Sequence, residues 1–269
     1  MFHILSRIYG LIDYCFMFSD WQSIQNWRKL KNGRDRGMSI TPLRLRHFKE
    51  PVYCRPRTTD ANVFYDTFWG KYHRAPASLS PVLTILDLGS NVGYTMLDYA
   101  WSYPSAKILG VELDAGNFEI CQRNVEPYKP RCEVLHAAAW YEDGDVTYKG
   151  ESEWGFHIAP GGEQKVRAIS ISSLIGMLDG FVDYLKMDIE GAEREVLNRC
   201  ADWIRSVRCL KVEIHKPWTV EECIPLLESF NLSCQRDSIH HEAVIALNQA
   251  YAGVFVPLPL SFRGTGTAR

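Results

Sequence analysis

Short apolar segments alternate with segments of helical periodicity from residue 82 onward. The apolar segments are rich in β-branched residues, whereas the segments between them repeat apolar positions every three or four residues. This alternation is typical of βαβ units and predicts an α/β fold built on a parallel sheet. The predicted strands are residues 82–88, 107–112, 132–138, 182–187 and 207–214. The predicted helices are residues 93–101, 117–126, 170–178, 192–204 and 220–230.

Two segments depart from this alternation. Residues 1–18 place apolar side chains on one helical face and polar ones on the other, which predicts an amphipathic helix. Its polar face holds few Lys or Arg residues, so we expect it to dock on protein, with weak peripheral attachment to a membrane surface as the alternative. Residues 150–162 contain Gly, Trp and His and predict a hairpin or flap beside the sheet.

Charge is distributed unevenly along the chain. Residues 1–80 hold 13 Lys and Arg against 6 Asp and Glu, a net charge of +7, whereas residues 81–269 hold 17 against 26, a net charge of −9. A polar stretch before Pro81 coincides with this change and marks a boundary. We predict a mainly helical, basic region at 1–80 that serves as an acceptor lid or in dimerisation, a catalytic domain at 81–248 and a tail at 249–269.

Composition narrows the class of protein. Of the 269 residues, 46% are hydrophobic and the net charge is only −2, which excludes disordered, fibrous and histone-like chains. The eight cysteines form no Cys-x-x-Cys pair and predict buried thiols. No segment reaches the roughly 20 uninterrupted apolar residues of a membrane span, and the N-terminus lacks a cleavage site. We therefore expect a cytoplasmic protein, and the basic region with its docking helix suggests a homodimer.

A glycine-containing turn joins the first predicted strand to the helix after it. Gly89 permits a tight turn, Gly93 lets the helix pack close to the strand, and the start of the helix offers free N–H groups. Because Asn91 replaces the middle glycine of a dinucleotide motif, a smaller nucleoside cofactor fits better. The candidate cofactor-binding residues of this turn are Asp87, Gly89, Ser90, Asn91, Gly93 and Tyr94.

The next two strands end in further candidate cofactor contacts. Glu112 ends the second strand, 25 residues after Asp87, where a carboxylate can accept hydrogen bonds from both ribose hydroxyls. Leu113 is expected to cover one face of adenine. In the third strand, Ala138 and its small neighbours let adenine approach the backbone, and His136 can contact the ring edge. Close helix packing is the alternative explanation for these small residues.

Acidic residues end the fourth and fifth strands. Asp188 and Glu190 follow strand 182–187, and α/β sheets bind ligands at the carboxyl ends of their parallel strands. Glu213 and His215 alternate onto one face of the neighbouring strand. We take Asp188, Glu190 and His215 as candidate catalytic bases and Asp188 as a cofactor contact too. A structural role is the alternative for His215, while Glu193 is expected to stabilise a helix N-terminus.

Together these motifs resemble the FkbM-type family of S-adenosylmethionine-dependent methyltransferases. The resemblance covers residues 81–216 and depends above all on Lys-Met-Asp-Ile-Glu-Gly-Ala-Glu at 186–193. It implies a Rossmann-like class I methyltransferase sheet with helices on both faces, S-adenosylmethionine as cofactor and S-adenosylhomocysteine as product. The chain departs from the family pattern at two places. Leu113 stands where the family usually has Pro, which affects packing against adenine, and residues 170–172 stand where it usually has Thr-Leu-Asp, which affects a helix cap. Neither departure changes the expected cofactor.

The resemblance also implies methyl transfer to hydroxyl groups, often those of sugars. We predict an O-methyltransferase acting on a saccharide, the sugar of an oligo- or polysaccharide or of a glycolipid, as in polysaccharide biosynthesis; a small secondary metabolite is the alternative acceptor. A Mg²⁺-assisted reaction with Asp188 and Glu213 or Glu190 as ligands is a further alternative that we do not favour. Stacking or polar contacts with the acceptor are predicted for Tyr65, Trp69, Tyr72, Trp154, Phe156, His157 and Glu213, with core or lid packing as the alternative.

Other function classes fit less well. The basic region, where Trp21 and Trp27 lie among Arg and Lys, suggests an RNA-modifying enzyme, but the Asn/Asp-Pro-Pro-aromatic motif of amino-group methyltransferases is absent and a solvated basic surface explains the charge. We therefore expect no nucleic-acid partner. A non-catalytic nucleoside-cofactor binder and an NAD-dependent oxidoreductase are the remaining alternatives.

Overall fold

The structure, a computed structural model, describes residues 15–149, 157–158, 161–162 and 164–251. It is a mixed α/β fold, as predicted. The strands are β1 (Thr41–Leu43), β2 (Val52–Cys54), β3 (Thr84–Leu88), β4 (Lys107–Glu112), β5 (Cys132–His136), β6 (Ala138–Trp140), β7 (Gly144–Lys149), β8 (His157–Ile158), β9 (Gln164–Ser170), β10 (Val182–Met187), β11 (Val207–Glu213), β12 (Leu232–Arg236) and β13 (Ala243–Asn248). The helices are α1 (Trp21–Lys31), α2 (Asp60–Tyr65), α3 (Tyr94–Ser102), α4 (Ala115–Val125), α5 (Ile171–Gly176), α6 (Glu193–Leu197) and α7 (Val220–Glu228), with a π-helical turn at Asp66–Gly70.

The central sheet has seven strands in the order β12-β13-β11-β10-β3-β4-β5. It contains all five predicted strands, which pair in parallel, while β13 is antiparallel to both β11 and β12. We did not predict β12 and β13, although the apolar run at 243–247 was a signal for the second of them. Strand order reverses between β3 and β10, which creates a switch point where ligands bind at the carboxyl edge of such sheets.

Helices cover both faces of this sheet. Alternate residues of each strand point to opposite faces, so Ile85 packs with Met96 and Tyr99 of α3, whereas Leu86 packs with residues of α5, α6 and α7. Both faces of the sheet are therefore covered, and all six residues of the central strand β10 are buried. The predicted three-layer arrangement is confirmed.

The predicted helix at 192–204 is wrong in length. Only Glu193–Leu197 is α-helical, and from Asn198 onward the chain turns through short-range hydrogen bonds such as Cys200 N–H to the Leu197 carbonyl. The apolar stripe that suggested a longer helix is buried nevertheless, because Cys200 and Trp203 pack into the core from this turn. The spacing of apolar residues thus predicted correctly which side chains are buried, but it did not predict that the helix ends at Leu197.

A second, four-stranded sheet of order β6-β9-β7-β8 lies beside the central one, and of the predicted flap at 150–162 it contains His157–Ile158 as β8. Strands β7 and β9 pair antiparallel from Gly144 and Ala168 to Tyr148 and Gln164. The predicted strand at 132–138 divides here, since β5 belongs to the central sheet and β6 pairs with β9. Residues 150–156 and 159–160 of the predicted flap lie outside the described residues.

The N-terminal region packs tightly onto α3 and α4. Phe18, Trp27 and Phe64 share one apolar cluster with Tyr94 and Leu97. Trp27 is fully buried, so its ring cannot stack on a ligand as the RNA hypothesis required. Of the predicted helix at 1–18, residues 1–14 lie outside the described residues, as do residues 252–269 of the tail.

Two predictions from composition can be compared with the described part of the chain. None of its helices has the length and hydrophobicity needed to cross a bilayer. All eight cysteines are free thiols; six are buried, whereas Cys15 is exposed and Cys234 half-buried. The homodimer and the cytoplasmic location stay predictions.

Candidate functional site

A cleft opens at the carboxyl edge of the central sheet, beside the switch point where ligands bind in such sheets. Among the residues predicted from the sequence to bind the cofactor, six line the cleft: Gly89, Asn91, Glu112, Leu113, Ala138 and Asp188. The other described lining residues are Val111, Asn117, Ala137, Ala139, Ile158, Ile189, Glu190 and Ala192.

The Gly89 turn is held from both sides. The N–H groups of Gly89 and Ser90 each donate to the Val111 carbonyl at 3.0 Å, and Lys186 Nζ donates to the Gly89 carbonyl at 2.7 Å. Gly89 has a φ of +77°, a conformation that favours glycine. The turn thus presents bare backbone to the cleft in a fixed position.

Glu112 lies at the floor of the cleft with both carboxylate oxygens in hydrogen bonds. It accepts from the N–H groups of Asn91, at 2.7 Å, and Asp114, at 2.8 Å. Burial nevertheless raises the pKa of Glu112 to about 7, although these two N–H groups oppose that shift. Each carboxylate oxygen can accept a second hydrogen bond, so the residue can still receive hydroxyl donors from a ligand.

Asn117 is a lining residue that sequence reasoning missed. It is buried on α4, and the Arg55 guanidinium donates to its Oδ1 at 2.7 Å. The same guanidinium pairs with the fully buried Asp60 at 2.7 Å. The N-terminal region therefore positions one wall of the cleft, a relationship across 62 residues that no local sequence signal reveals.

Asp87, Ser90 and Gly93 were also predicted to bind the cofactor, but they are not among the described residues that line the cleft. They lie next to the Gly89 turn. Asp87 accepts from Thr95 Oγ1 at 2.6 Å, and Ser90 Oγ donates to the Asp87 carbonyl at 2.9 Å. Gly93 precedes α3 in the left-handed conformation, with a φ of +82°. These residues shape the turn from within the core.

Tyr94 and His136 also lie outside that lining. The Tyr94 hydroxyl donates to the Tyr53 carbonyl at 2.9 Å, and its ring packs against Phe64 in the N-terminal cluster. His136 is exposed, with Nε2 3.1 Å from the Leu113 carbonyl and its ring stacked on Phe118. Tyr94 thus belongs to the core, whereas His136 holds the backbone of a lining residue.

The buried Lys186 links Asp188, which lines the cleft, to the core residue Asp87. Lys186 Nζ lies 3.3 Å from a carboxylate oxygen of Asp188 and 3.3 Å from one of the fully buried Asp87. Burial alone would lower the pKa of Lys186, but these two carboxylates outweigh it and raise that pKa above its ordinary value. Burial alone would raise the pKa of Asp188, yet the Lys186 charge keeps it below its usual range. Both groups are therefore ionised.

His215 is clamped by carboxylates. Its Nδ1 lies 3.0 Å from the buried Glu193, while its Nε2 lies 3.4 Å from Glu190 and 3.8 Å from Asp188. Burial alone would lower the pKa of His215, but the hydrogen bond to Glu193 and the surrounding charges raise it to about 10. The ring is a cation at neutral pH, a state in which it cannot accept a proton. For Glu190, burial and the Asp188 charge raise the pKa to about 7.

Glu193 does more than the predicted stabilisation of a helix N-terminus. Its carboxylate accepts from the backbone N–H groups of Ile189, at 2.9 Å, and Gly191, at 3.0 Å, besides contacting His215. The loop that carries Asp188 and Glu190 is therefore wrapped around one buried side chain. The close spacing of Glu193 to both catalytic candidates was the sequence signal for this role.

A second group of ionisable side chains adjoins this cluster. Ligand atoms of His73, Glu213 and His240 lie within 4.8 Å of one another, and His240 Nε2 is 3.5 Å from Glu213 Oε1. The ring of Tyr72 stacks on that of His240 with centroids 5.2 Å apart. Glu213 and Tyr72, both predicted acceptor contacts, therefore lie together. His73 and His240 carried no motif and were missed.

The other predicted acceptor contacts are elsewhere. Tyr65 and Trp69 stack on each other at 5.6 Å in the N-terminal region, and neither is among the described residues that line the cleft. Trp154 and Phe156 lie outside the described residues, and only the backbone of His157 is described, in β8. The flap contacts therefore stay predictions.

Comparison with known protein families assigns the chain to one of them. The profile of the methyltransferase FkbM domain matches residues 87–247, which is more than half of the chain. The chain belongs to the FkbM methyltransferase family. No curated protein sequence matches it significantly. The match includes the Gly89 turn, Glu112, Asp188 and His215 but begins after His73.

Solved structures of low sequence identity also match this FkbM-family chain. They include a methyltransferase FkbM from Methylobacillus flagellatus KT (15% identity, 70% of this chain and 53% of that one, TM-score 0.44) and an O-methyltransferase family protein from Burkholderia thailandensis (11%, 71% and 58%, 0.45). A third is the mitomycin 7-O-methyltransferase MmcR (12%, 70% and 54%, 0.41). The chain thus spans little more than half the length of each of these proteins.

Proposed function

We propose that this methyltransferase uses S-adenosylmethionine to methylate a hydroxyl group of a saccharide, with S-adenosylhomocysteine as product. The observation that carries the proposal is the juxtaposition, in one cleft, of the bare Gly89 turn and the Glu112 carboxylate with the carboxylates of Asp188 and Glu190. The first pair suits a nucleoside, and the second pair suits a reaction that releases a proton.

The residues present fit the cofactor. Lys186, buried with Asp87, holds the carbonyl of the Gly89 turn, and no side chain at residue 89 obstructs the cleft. Glu112 can accept from ribose hydroxyls, while Ala137, Ala138 and Ala139 leave room for a flat ring against the backbone. When bound, S-adenosylmethionine supplies an electrophilic methyl group, and the acidic edge of the cleft complements its positive charge.

The chain itself must align the acceptor and remove its proton. Alignment for an in-line displacement contributes several kcal/mol, and a positioned base typically contributes about 10²–10⁴-fold in rate. Of the three predicted bases, Asp188 is paired with Lys186, and His215 Nδ1 is held by Glu193. Glu190 lines the cleft without a Lys or Arg partner among the described residues. We therefore propose that Glu190 accepts the proton of the acceptor hydroxyl.

The test is transfer of a labelled methyl group from S-adenosylmethionine to a panel of mono- and oligosaccharides and of small aromatic hydroxyl compounds, read by mass. We expect incorporation into at least one saccharide, and S-adenosylhomocysteine but not NADH to bind in calorimetry. Binding of NADH alone would point to an oxidoreductase, and label found only in small aromatic hydroxyl compounds would replace the saccharide by a secondary metabolite. Salt-sensitive retention of RNA on a filter would instead support the nucleic-acid hypothesis.

The base assignment needs its own variant. Glu190→Gln should lower kcat by about 10²–10⁴-fold while the affinity for S-adenosylhomocysteine stays near that of the wild type. The matched control is Glu195→Gln, which should leave kcat unchanged. Glu195 is an exposed acidic residue of α6 that pairs with Arg199. If kcat of Glu190→Gln also stays within twofold of the wild type, the proton goes elsewhere.

A further inference from the structure

Three polar side chains from distant parts of the chain meet beside the catalytic cluster. His73 precedes β3, Glu213 ends β11, and His240 lies in the connection between β12 and β13. Their ligand atoms, two imidazole nitrogens and one carboxylate oxygen, lie within 4.8 Å of one another. His73 also lies outside the FkbM domain match, so the arrangement depends on a segment that the domain does not include.

Within the described part of the chain, this group is short of hydrogen-bond partners. The Glu213 carboxylate receives no hydrogen bond from a backbone or Lys/Arg donor there, and it faces two imidazole nitrogens, His240 Nε2 at 3.5 Å and His215 Nε2 at 3.9 Å. Buried polar groups without partners are costly, and an ion is one explanation for retaining them.

We propose that His73, Glu213 and His240 bind a divalent transition-metal ion of the Zn²⁺ type. Two imidazoles with one carboxylate form the donor set of catalytic Zn²⁺ and of non-haem Fe²⁺ sites, which keep positions open for a substrate. Mg²⁺ prefers oxygen ligands, so two histidines select against it. With metal–ligand bonds of about 2.0–2.2 Å, donor atoms lie about 3.3 Å apart in a tetrahedral site, close to the observed 3.5 Å between His240 and Glu213.

The positive charges around this position are each paired with carboxylates, and the nearest of them, His215, lies between Glu190 and Glu193. Lys211, the closest lysine on β11, is neutralised by an ion pair with Asp237 and donates to the Tyr72 carbonyl. Lys186 is likewise engaged by two carboxylates. By contrast, Asp188 is already paired with Lys186, which argues against the Mg²⁺ alternative that uses Asp188. The Tyr72 ring stacked on His240 fixes the orientation of that imidazole.

The role of the ion rests on the proposed function. The metal triad (His73, Glu213 and His240) meets the catalytic cluster at Glu213, whose Oε1 lies 3.9 Å from His215 Nε2. An ion there adjoins Glu190 and could bind hydroxyl oxygens of the acceptor, which favours loss of the hydroxyl proton. The binding of the acceptor, rather than of the cofactor, should then depend on the metal.

The direct test is a metal titration without acceptor or cofactor. Full-length protein is stripped with EDTA, dialysed and titrated with Co²⁺ while its visible absorption is followed, and Zn²⁺ is then added as competitor. We expect one Co²⁺ per chain, displaced by Zn²⁺. His73→Gln and His240→Gln should each weaken Co²⁺ binding by more than about 100-fold, since even loss of an outer partner costs 10–100-fold. The matched control is His241→Gln, an exposed neighbour on the same connection, which should bind as the wild type does.

The outcomes separate this inference from the proposed function. The metal site would be overturned if the wild-type protein took up no stoichiometric Co²⁺, or if the triad variants bound Co²⁺ as tightly as His241→Gln does. Methyl transfer in the presence of EDTA would then leave the proposed function standing without the metal. A triad that binds Co²⁺ as expected, in a protein that does not bind S-adenosylhomocysteine, would retain the site and remove the function. Thermal unfolding in EDTA checks that each variant folds, and Glu213→Gln replaces any that does not.

Discussion

The backbone of Gly89 passes directly against the backbone of Asp188. A Cβ added to Gly89 would overlap the carbonyl oxygen of Asp188, and the Asp188 N–H donates to the Leu88 carbonyl at 3.1 Å. The turn proposed to hold the cofactor and the loop proposed to hold the acceptor are thus in van der Waals contact. Any side chain at residue 89 would push these two parts of the site apart.

Gly89→Ala should therefore lose far more stability than an alanine at a comparable glycine. Gly180 provides the control, because its φ of +82° resembles the +77° of Gly89 but nothing lies within 4 Å of an added Cβ. Gly180→Ala should cost only the conformational penalty of about 1–2 kcal/mol. In urea unfolding Gly89→Ala should lose at least about 2 kcal/mol more, and it should not bind S-adenosylhomocysteine in calorimetry. Equal losses in the two variants would contradict the close approach.

Lys186→Met should be strongly destabilising because it leaves Asp87 as an uncompensated buried charge. Removing one partner of a buried ion pair typically costs about 3–5 kcal/mol. The exposed pair of Lys165 and Asp145 offers the control, and Lys165→Met should change the free energy of unfolding by less than about 0.5 kcal/mol. The double variant Lys186→Met/Asp87→Asn should recover part of the loss. A loss below 1 kcal/mol for Lys186→Met would show that Asp87 finds another partner.

The affinity for S-adenosylhomocysteine should rise with pH through about 7. Burial raises the pKa of Glu112 to about 7, and only the ionised carboxylate accepts from both ribose hydroxyls. Because the free protein holds this proton at lower pH, the ionised fraction, and with it the affinity, should increase about tenfold between pH 6 and pH 8. Calorimetry at several pH values measures the slope. It should vanish in Glu112→Gln and persist in Glu190→Gln; the reverse pattern would assign the titration to Glu190.

Glu193→Gln should weaken both the fold and the reaction. The carboxylate serves three donors, the N–H groups of Ile189 and Gly191 and the ring of His215, and an amide has only one oxygen to accept them. Leaving a buried donor unsatisfied costs about 1–3 kcal/mol, which urea unfolding should detect. Turnover should fall as His215 loses its position. Glu195→Gln, two residues away but exposed, should match the wild type in both measurements.

A fragment that begins at residue 81 should not fold on its own. Phe18, Trp27 and Phe64 cover Tyr94 and Leu97 of α3, so the fragment 81–269 would expose this apolar surface to water. We expect the fragment to aggregate, or to show no cooperative unfolding transition when it is followed by circular dichroism. The full chain should unfold cooperatively in the same experiment. A soluble, cooperatively unfolding fragment would support the predicted boundary at 80/81 as a true domain boundary.

Local patterns predicted the central sheet well. Strands 107–112 and 182–187 match the observed bounds, because buried parallel strands are rich in apolar residues. Periodicity failed for the helix at 192–204, where the buried stripe is formed by a short helix and turns. The edge strand β12 and its neighbour β13 also escaped prediction, since β12 is short and polar and its pairing with β13 is a matter of tertiary context.

The sequence alone determined the class of site. The Gly89 turn, Glu112 and the acidic stretch at 188–193 are local features, and each depends on residues that are close along the chain. Tertiary structure alone decided what surrounds them: Arg55 reaches Asn117 across 62 residues, and His73 meets Glu213 and His240 from outside the family domain. The physical reason is that backbone turns follow from neighbouring residues, whereas ionisable side chains take their partners and their charge from whichever elements the core packs beside them.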